Sequence, residues 1–181
     1  MNVANALTLL RLAAVPFLVL LLHEGRYREA LVLFVLAGIS DAVDGFVAKR
    51  FGQETQLGKV LDPIADKALV VTVYVALAWV ALIPFWLVVA VVSRDLIIVG
   101  GALAYHYLTG ALEMVPTFLS KLNTALQLAL VTLVLVEAAL PMGVHVWVDW
   151  LAVLVLVTTV ASGLQYVVVW LRKAWAYEAG R

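Results

Sequence analysis

Residues 146–172 read VWVDWLAVLVLVTTVASGLQYVVVWLR, and between Asp149 and Arg172 no side chain carries a formal charge. A helix of about 20 mostly apolar residues crosses the hydrocarbon core of a bilayer, and this run is long enough to do so. Backbone at that depth has no water to bond, so the run is expected to be helical throughout. Outward from it the pattern recurs, giving expected spans near residues 5–23, 29–50, 57–82, 86–107, 117–140 and 146–172. The breaks are short: Glu24 to Arg28, Phe51 to Gln56, the Ile83-Pro84 corner, Leu108 to Pro116, and Pro141 to His145. Connections of that length join neighbouring helices of one bundle. The expected fold is all-α, a polytopic membrane protein with six transmembrane helices in one bundle and one domain, residues 1–181.

Composition agrees. Of 181 residues, 65% are hydrophobic and 13% charged, with a mean hydropathy of +1.07, far more apolar than a soluble domain. Twelve basic and twelve acidic residues leave no net charge, so no nucleic-acid partner is expected. The chain has no cysteine, which excludes disulfides, thiolate nucleophiles and zinc-thiolate sites, and leaves oxygen or histidine for any metal. The histidines His23, His106 and His145 have no ligand-like spacing and read as interfacial residues.

Basic residues orient the spans. With the amino terminus inside, Arg11, Lys49, Arg50, Lys59, Lys67, Lys121, Arg172, Lys173 and Arg181 fall inward, Arg26 and Arg28 fall outside, and Arg94 lies deep in the fourth span. Both termini are therefore expected in the cytoplasm, and Trp79, Trp86, Trp147 and Trp150 near the outer interface. Met1 to Leu10 has neither a basic region ahead of an apolar stretch nor the Arg- and Ser-rich character of a transit peptide. A bacterial plasma (inner) membrane is the expected location, with the first apolar run a span and not a cleaved signal.

The second span carries Asp41 and Asp44, three residues apart, and the third carries Asp62 and Asp66, four apart. On helices, each spacing puts its pair on one face. An acid at the centre of a span costs about 2.5 to 3.5 kcal/mol, so four near mid-depth require a compensating charge. Lys49, Lys59 and Lys67 offer part of it, but four oxygen donors suit one or two hard divalent ions, Mg²⁺ or Mn²⁺, better. Gly45 follows Asp41 by four, Ala48 follows Asp44 by four, and Gly58 precedes Asp62 by four, which keeps space on the acidic stripes. The plainer alternative is helix packing plus acid–lysine ion pairs, which leaves four acids opposed by glycines unexplained.

The run Asp41-Ala-Val-Asp44-Gly45-Phe-Val-Ala48-Lys49, then eight residues, then Gly58-Lys-Val-Leu-Asp62-Pro-Ile-Ala-Asp66 resembles a family signature. It is that of the CDP-alcohol phosphatidyltransferases, Asp-x2-Asp-Gly-x2-Ala-Arg-x7-8-Gly-x3-Asp-x3-Asp, matched at seven of eight fixed positions. The departure is Lys49, which keeps the charge of the family's arginine but not its bidentate fork. The resemblance implies a divalent-metal enzyme that transfers a phosphatidyl group from CDP-diacylglycerol to an alcohol and releases CMP. It implies that Asp41, Asp44 and Asp62 ligate metal, and that Asp66 ligates metal, acts as base towards the incoming hydroxyl, or does both. Asp62 and Asp66 are thus the implied catalytic pair, and Asp44, Gly45, Ala48, Lys49 and Gly58 the implied nucleotide site. A homodimer in the membrane lipid, with its active site towards the cytoplasm, is also implied.

Flanking residues bear on the acceptor. Asn5-Ala-Leu7-Thr8-Leu-Leu-Arg11 is similar to the family's opening, which makes Arg11 a phosphate contact or else a snorkelling interfacial arginine. Arg94 reads as a phosphate clamp oriented by Asp95, or as a structural pair with it. Lys121 and Asn123 are expected to face the same cavity. The segments Val92-Ser93-Arg94-Asp95-Leu96 and Pro116 to Gln127 resemble the branch of CMP-forming cardiolipin synthases, whose acceptor is phosphatidylglycerol. The phosphatidylglycerophosphate synthases, which use glycerol 3-phosphate, more often show Arg-Glu and Gly-Lys-x-Lys-Thr there. A membrane prenyltransferase is disfavoured by the lack of a second, distant Asp-rich motif, and an ion or proton transporter by the lack of inverted repeats.

Overall fold

The computed structural model describes residues 3–51, 56–109 and 117–179, and side chains at 12–40, 67–101, 107, 117–172 and 175. The described residues form six helices: α1 (Val3–His23), α2 (Tyr27–Phe51), α3 (Gln56–Trp79), α4 (Phe85–Thr109), α5 (Phe118–Ala139) and α6 (His145–Ala179). The all-α expectation holds, and four of the six helices begin and end within two residues of the expected spans.

Two ends differ for physical reasons. α3 stops at Trp79, short of the expected residue 82, because the next residues close a left-handed cap. Ala81 has φ +57°, its N–H donates to the Ala78 carbonyl, and the Leu82 N–H donates to the Leu77 carbonyl. α1 ends the same way around Gly25, at φ +70°, with Gly25 N–H on Leu22 and Arg26 N–H on Leu21. α6 runs seven residues beyond the expected residue 172, since Arg172-Lys173 ends the apolar run without ending the helix. Its 35 residues rise about 52 Å, more than the ~30 Å hydrocarbon core.

The chain falls into two compact units, one of Met1–Pro84 with Val131–Val148, the other of Phe85–Leu130 with Asp149–Arg181. In the first, α1 packs on both α2 and α3, and Leu18, Leu22, Phe34, Val73, Tyr74 and Leu77 are buried. Arg28 donates from Nε to the Ala139 carbonyl (3.2 Å), a cation at the last carbonyls of α5. Arg26 lies between Glu29 (3.2 Å) and Glu24 (3.5 Å); the Glu29 hydrogen bond, more than any other cause, raises its guanidinium above the ordinary value. Glu137 accepts from the N–H groups of Met142 (3.2 Å) and Val144 (3.0 Å), which ties down the turn into α6.

In the second unit, α6 is patterned inside out. Its exposed positions include Val153, Leu154, Val157, Val160, Leu164 and Leu171, while Ala152, Thr158, Thr159, Ser162 and Gly163 are buried. Water would select the reverse; lipid selects this, because close helix contact there rests on small and hydroxyl side chains. Among the described residues, Phe118–Ala139 and His145–Arg172 are long and apolar enough to cross a membrane.

Candidate functional site

The acid pairs sit on unbroken helices. α2 continues through Phe51 and α3 begins at Gln56, so the spacings of Asp41 with Asp44 and of Asp62 with Asp66 are spacings along helix. The side chains of Arg11, Asp41, Asp44, Gly45, Ala48, Lys49, Gly58, Asp62 and Asp66 lie outside the described residues. Among the described residues no three His, Asp or Glu side chains gather in a metal-ligand cluster. The donor chemistry at the acid pairs is oxygen alone, in a chain without cysteine, which fits a hard divalent cation.

The second set of predicted residues is visible in detail. Arg94 on α4 is 5% exposed, yet its guanidinium is engaged on three sides. Nη1 donates to Asp95 Oδ1 at 2.6 Å, Nη2 to Ser162 Oγ at 3.0 Å and to Ser120 Oγ, and Nε to Ser162 Oγ at 3.4 Å. The Tyr166 ring lies 6.0 Å from the guanidinium carbon. A buried charge is tolerable when it is paired and hydrogen-bonded in this way, and here its partners come from α4, α5 and α6.

Around Arg94 runs a polar seam. The Thr117 N–H donates to the Tyr166 hydroxyl (3.3 Å), and Thr117 caps α5 by accepting from the Ser120 N–H (3.2 Å). One helical turn on, Ser120 and Ser162 share the guanidinium; one turn further, Asn123 Oδ1 accepts from Thr158 (2.8 Å) and Thr159 (2.9 Å). As numbers rise on α5 they fall in step on α6, the register of an antiparallel pair. Among the described residues the buried Asn123 Nδ2 has no hydrogen-bond partner, a donor group left over from this otherwise matched set. α4 lies parallel to α6 in register: Arg94 is opposite Gly163, and seven residues on, Gly101 is opposite Trp170. A Cβ at Gly101 would stand 2.5 Å from the indole Cδ1, so only glycine allows this approach.

The structure brings Arg94, Asp95 and Asn123 into one seam but places Lys121 elsewhere. Lys121 is exposed and Asn123 fully buried, two residues apart and on different sides of α5, so they do not share a cavity. Sequence reading overlooked Ser120, Thr158, Thr159, Ser162 and Tyr166. Their helical spacing was the available signal: 120, 123 and 127 on α5, and 158/159, 162 and 166 on α6, each one turn apart.

Comparison with known proteins adds a family. The family described as CDP-alcohol phosphatidyltransferase matches residues 1–170. The human cardiolipin synthase (CMP-forming) is 33% identical over 181 residues, covering 91% of this chain and 60% of that protein. A probable phosphatidylglycerophosphate synthase of Mycobacterium tuberculosis is 33% identical over 173 residues, covering 92% of this chain and 80% of that protein. The CDP-diacylglycerol–glycerol-3-phosphate 3-phosphatidyltransferase of Bacillus subtilis is 32% identical over 152 residues, covering 75% and 77%. The chain thus spans about 60% of the length of the human cardiolipin synthase it matches.

Proposed function

The chain belongs to the CDP-alcohol phosphatidyltransferase family, and from that premise we propose that it transfers the phosphatidyl group of CDP-diacylglycerol to phosphatidylglycerol, forming cardiolipin and CMP. The observation that carries the reading is the acid motif on continuous helices, three residues apart on α2 and four on α3, within a chain whose described helices expose many aliphatic and aromatic side chains.

In the proposed reaction, Asp66 accepts the proton of the acceptor hydroxyl as that oxygen bonds to the phosphatidyl phosphorus and the bond to CMP breaks. Asp62, one turn earlier on α3, orients the reacting groups with it. Asp41, Asp44, Asp62 and Asp66 would hold Mg²⁺ or Mn²⁺, which when bound would supply positive charge for the pyrophosphate and the departing CMP. Gly45, Ala48 and Gly58 leave room for the nucleotide, and Lys49 and Arg11 offer cations to phosphate. Lys121, exposed on α5, offers a cation to the acceptor headgroup, while Arg94 and the buried Asn123 hold α4, α5 and α6 in place.

We assign the whole chain to one catalytic domain in a bacterial plasma membrane, with six spans and both termini and the active site towards the cytoplasm. The distribution of basic residues supports this orientation, with nine falling inward and only Arg26 and Arg28 outside. A homodimer follows from family resemblance alone.

A second acceptor is supported by the Mycobacterium relative, whose length is matched more completely than that of the human protein. The test offers purified protein phosphatidylglycerol, glycerol 3-phosphate, inositol or serine with CDP-diacylglycerol and Mn²⁺, and identifies product by lipid mass. Cardiolipin from the first supports the assignment; phosphatidylglycerophosphate from the second replaces it. No CMP release with any acceptor rejects the enzymatic reading.

A further inference from the structure

α6 carries a second polar feature, apart from the Arg94 seam, on its exposed side. Leu154, Ala161, Gln165, Val168 and Arg172 follow one another at steps of seven, four, three and four residues, and all five are exposed. Those steps keep them on one stripe of the helix. Trp175, 75% exposed, stands beside the stripe three residues beyond Arg172. Round the helix from it, Thr159, Gly163 and Tyr166 are buried. α6 is one of the described helices long and apolar enough to cross a membrane, so its exposed side is the side that meets lipid. Two members of the stripe do not suit hydrocarbon. Among the described residues, neither the Gln165 amide nor the Arg172 guanidinium has a hydrogen-bond or ion-pair partner. Polar groups so placed take their partners from the lipid itself.

The order of groups along the stripe is the order within a phospholipid. From Trp150 to Leu171 the helix rises about 32 Å, close to the ~30 Å of the hydrocarbon core, which puts Arg172 and Trp175 at headgroup depth. Positive charge is in excess there: Arg172, Lys173 and Arg181 face only Glu178 in the last ten residues. Gln165 lies about 10 Å of rise further in, and a side chain in apolar surroundings extends its polar end towards the interface, so its amide is aimed at the layer of glycerol esters. Beyond it the stripe is aliphatic. Ala161 offers only a methyl group between Gln165 and Leu154, which leaves room for a chain to lie against the helix.

We infer that this stripe binds one anionic phospholipid of the leaflet at the carboxy-terminal end of α6. Arg172 holds the phosphate with Trp175 beside the headgroup, the Gln165 amide donates to an ester carbonyl, and an acyl chain lies over Ala161 towards Leu154. Every phospholipid offers phosphate and esters, so the charge balance makes the choice. A zwitterionic headgroup brings a cation of its own to a helix end already in positive excess, whereas an anionic one brings none. Bulk hydrocarbon is as apolar as the bound chain, so the preference resides in the headgroup and ester contacts. A lipid gripped at two depths also fixes how far α6 sinks into the bilayer. The inference is independent of the reaction that the chain catalyses.

The chain has no cysteine, so a single Val168→Cys substitution carries one bimane reporter on the stripe. The labelled full chain is placed in phosphatidylcholine vesicles, and its fluorescence is titrated with phosphatidylglycerol or phosphatidylcholine dibrominated near the ester end of the acyl chain. The expected result is equal quenching at about one-fifth of the mole fraction for phosphatidylglycerol. Val153→Cys, also exposed on α6 but towards its other end, should report no such preference. Arg172→Gln should abolish the preference at Val168→Cys. Gln165→Leu, which leaves every charge in place, should lower it at least about twofold. Equal quenching by the two lipids overturns the inference, and so does an equal preference at Val153→Cys, which reports demixing around the whole protein. A preference untouched by Gln165→Leu overturns it too, since positive charge alone then suffices. Weak quenching by both lipids overturns it in a different way, because a protein surface such as a second copy of the chain then covers the stripe. If either variant does not fold, the comparison of Val168→Cys with Val153→Cys decides alone.

Discussion

Two sets of polar residues interrupt the apolar helices, and they differ in whether they are complete. The Arg94 seam is nearly closed: a cation, a carboxylate, four hydroxyls of Ser and Thr, a phenol and an amide answer one another, with the two N–H donors of the Asn123 amide left over among the described residues. The acid motif is open in its composition. Four carboxylates accept hydrogen bonds and donate none when ionised, so members of that set cannot satisfy one another. A set that completes itself is scaffold. We propose that the set needing a cation from outside is where chemistry is done, and the contrast is one of donor and acceptor balance, not of burial.

The largest effect should come from the open set. Asp62→Asn or Asp66→Asn is expected to lower CMP release by at least about 100-fold, with helical circular dichroism and thermal midpoint little changed. An equal loss of stability would collapse the distinction. The closed set should answer in the opposite way. Arg94→Met deprives the Asp95 carboxylate of its guanidinium and two serines of their donor, at a cost of about 3–5 kcal/mol in reversible unfolding from detergent. Adding Asp95→Asn should recover part of that, because one poorly solvated charge is then gone; no recovery would mean that the seam is not held by this pair.

The acid motif and the six helices were legible because charge and hydropathy are written one residue at a time. Asp41, Asp44, Asp62 and Asp66 stand out against their runs, and a glycine four residues away sharpens each stripe that has one. The seam was half legible. Arg94 and Asn123 attracted notice as polar residues in spans, but serine and threonine are common in membrane helices, so Ser120, Thr158 and Ser162 acquire meaning only when α5 and α6 are set antiparallel. The end of α3 was missed because alanine gives no sign of a left-handed cap, where Gly25 does.

Two smaller tests refine the contrast. Gly101→Ala sets a methyl against the Trp170 indole and should cost about 1–3 kcal/mol, with Trp170→Leu relieving much of it in the double variant. Additive losses would mean that the close approach of α4 and α6 does not support the seam. The smallest effect belongs to the helix ends, remote from both sets. Gly25→Ala should destabilise and Ala81→Gly stabilise by about 1 kcal/mol each, with catalysis untouched, since a left-handed alanine is strained and a left-handed glycine is not.

The adjacency of Arg94 and Asp95 bears on biogenesis. α4 leaves the ribosome before Ser120 and Ser162 have been made, and an arginine entering the bilayer alone costs about 2.5 to 3.5 kcal/mol on insertion scales. On the proposed six-span topology, the arginine would reach the translocon with its counter-ion on the next residue, and the helix could wait in the membrane until the following hairpin arrives to lock it.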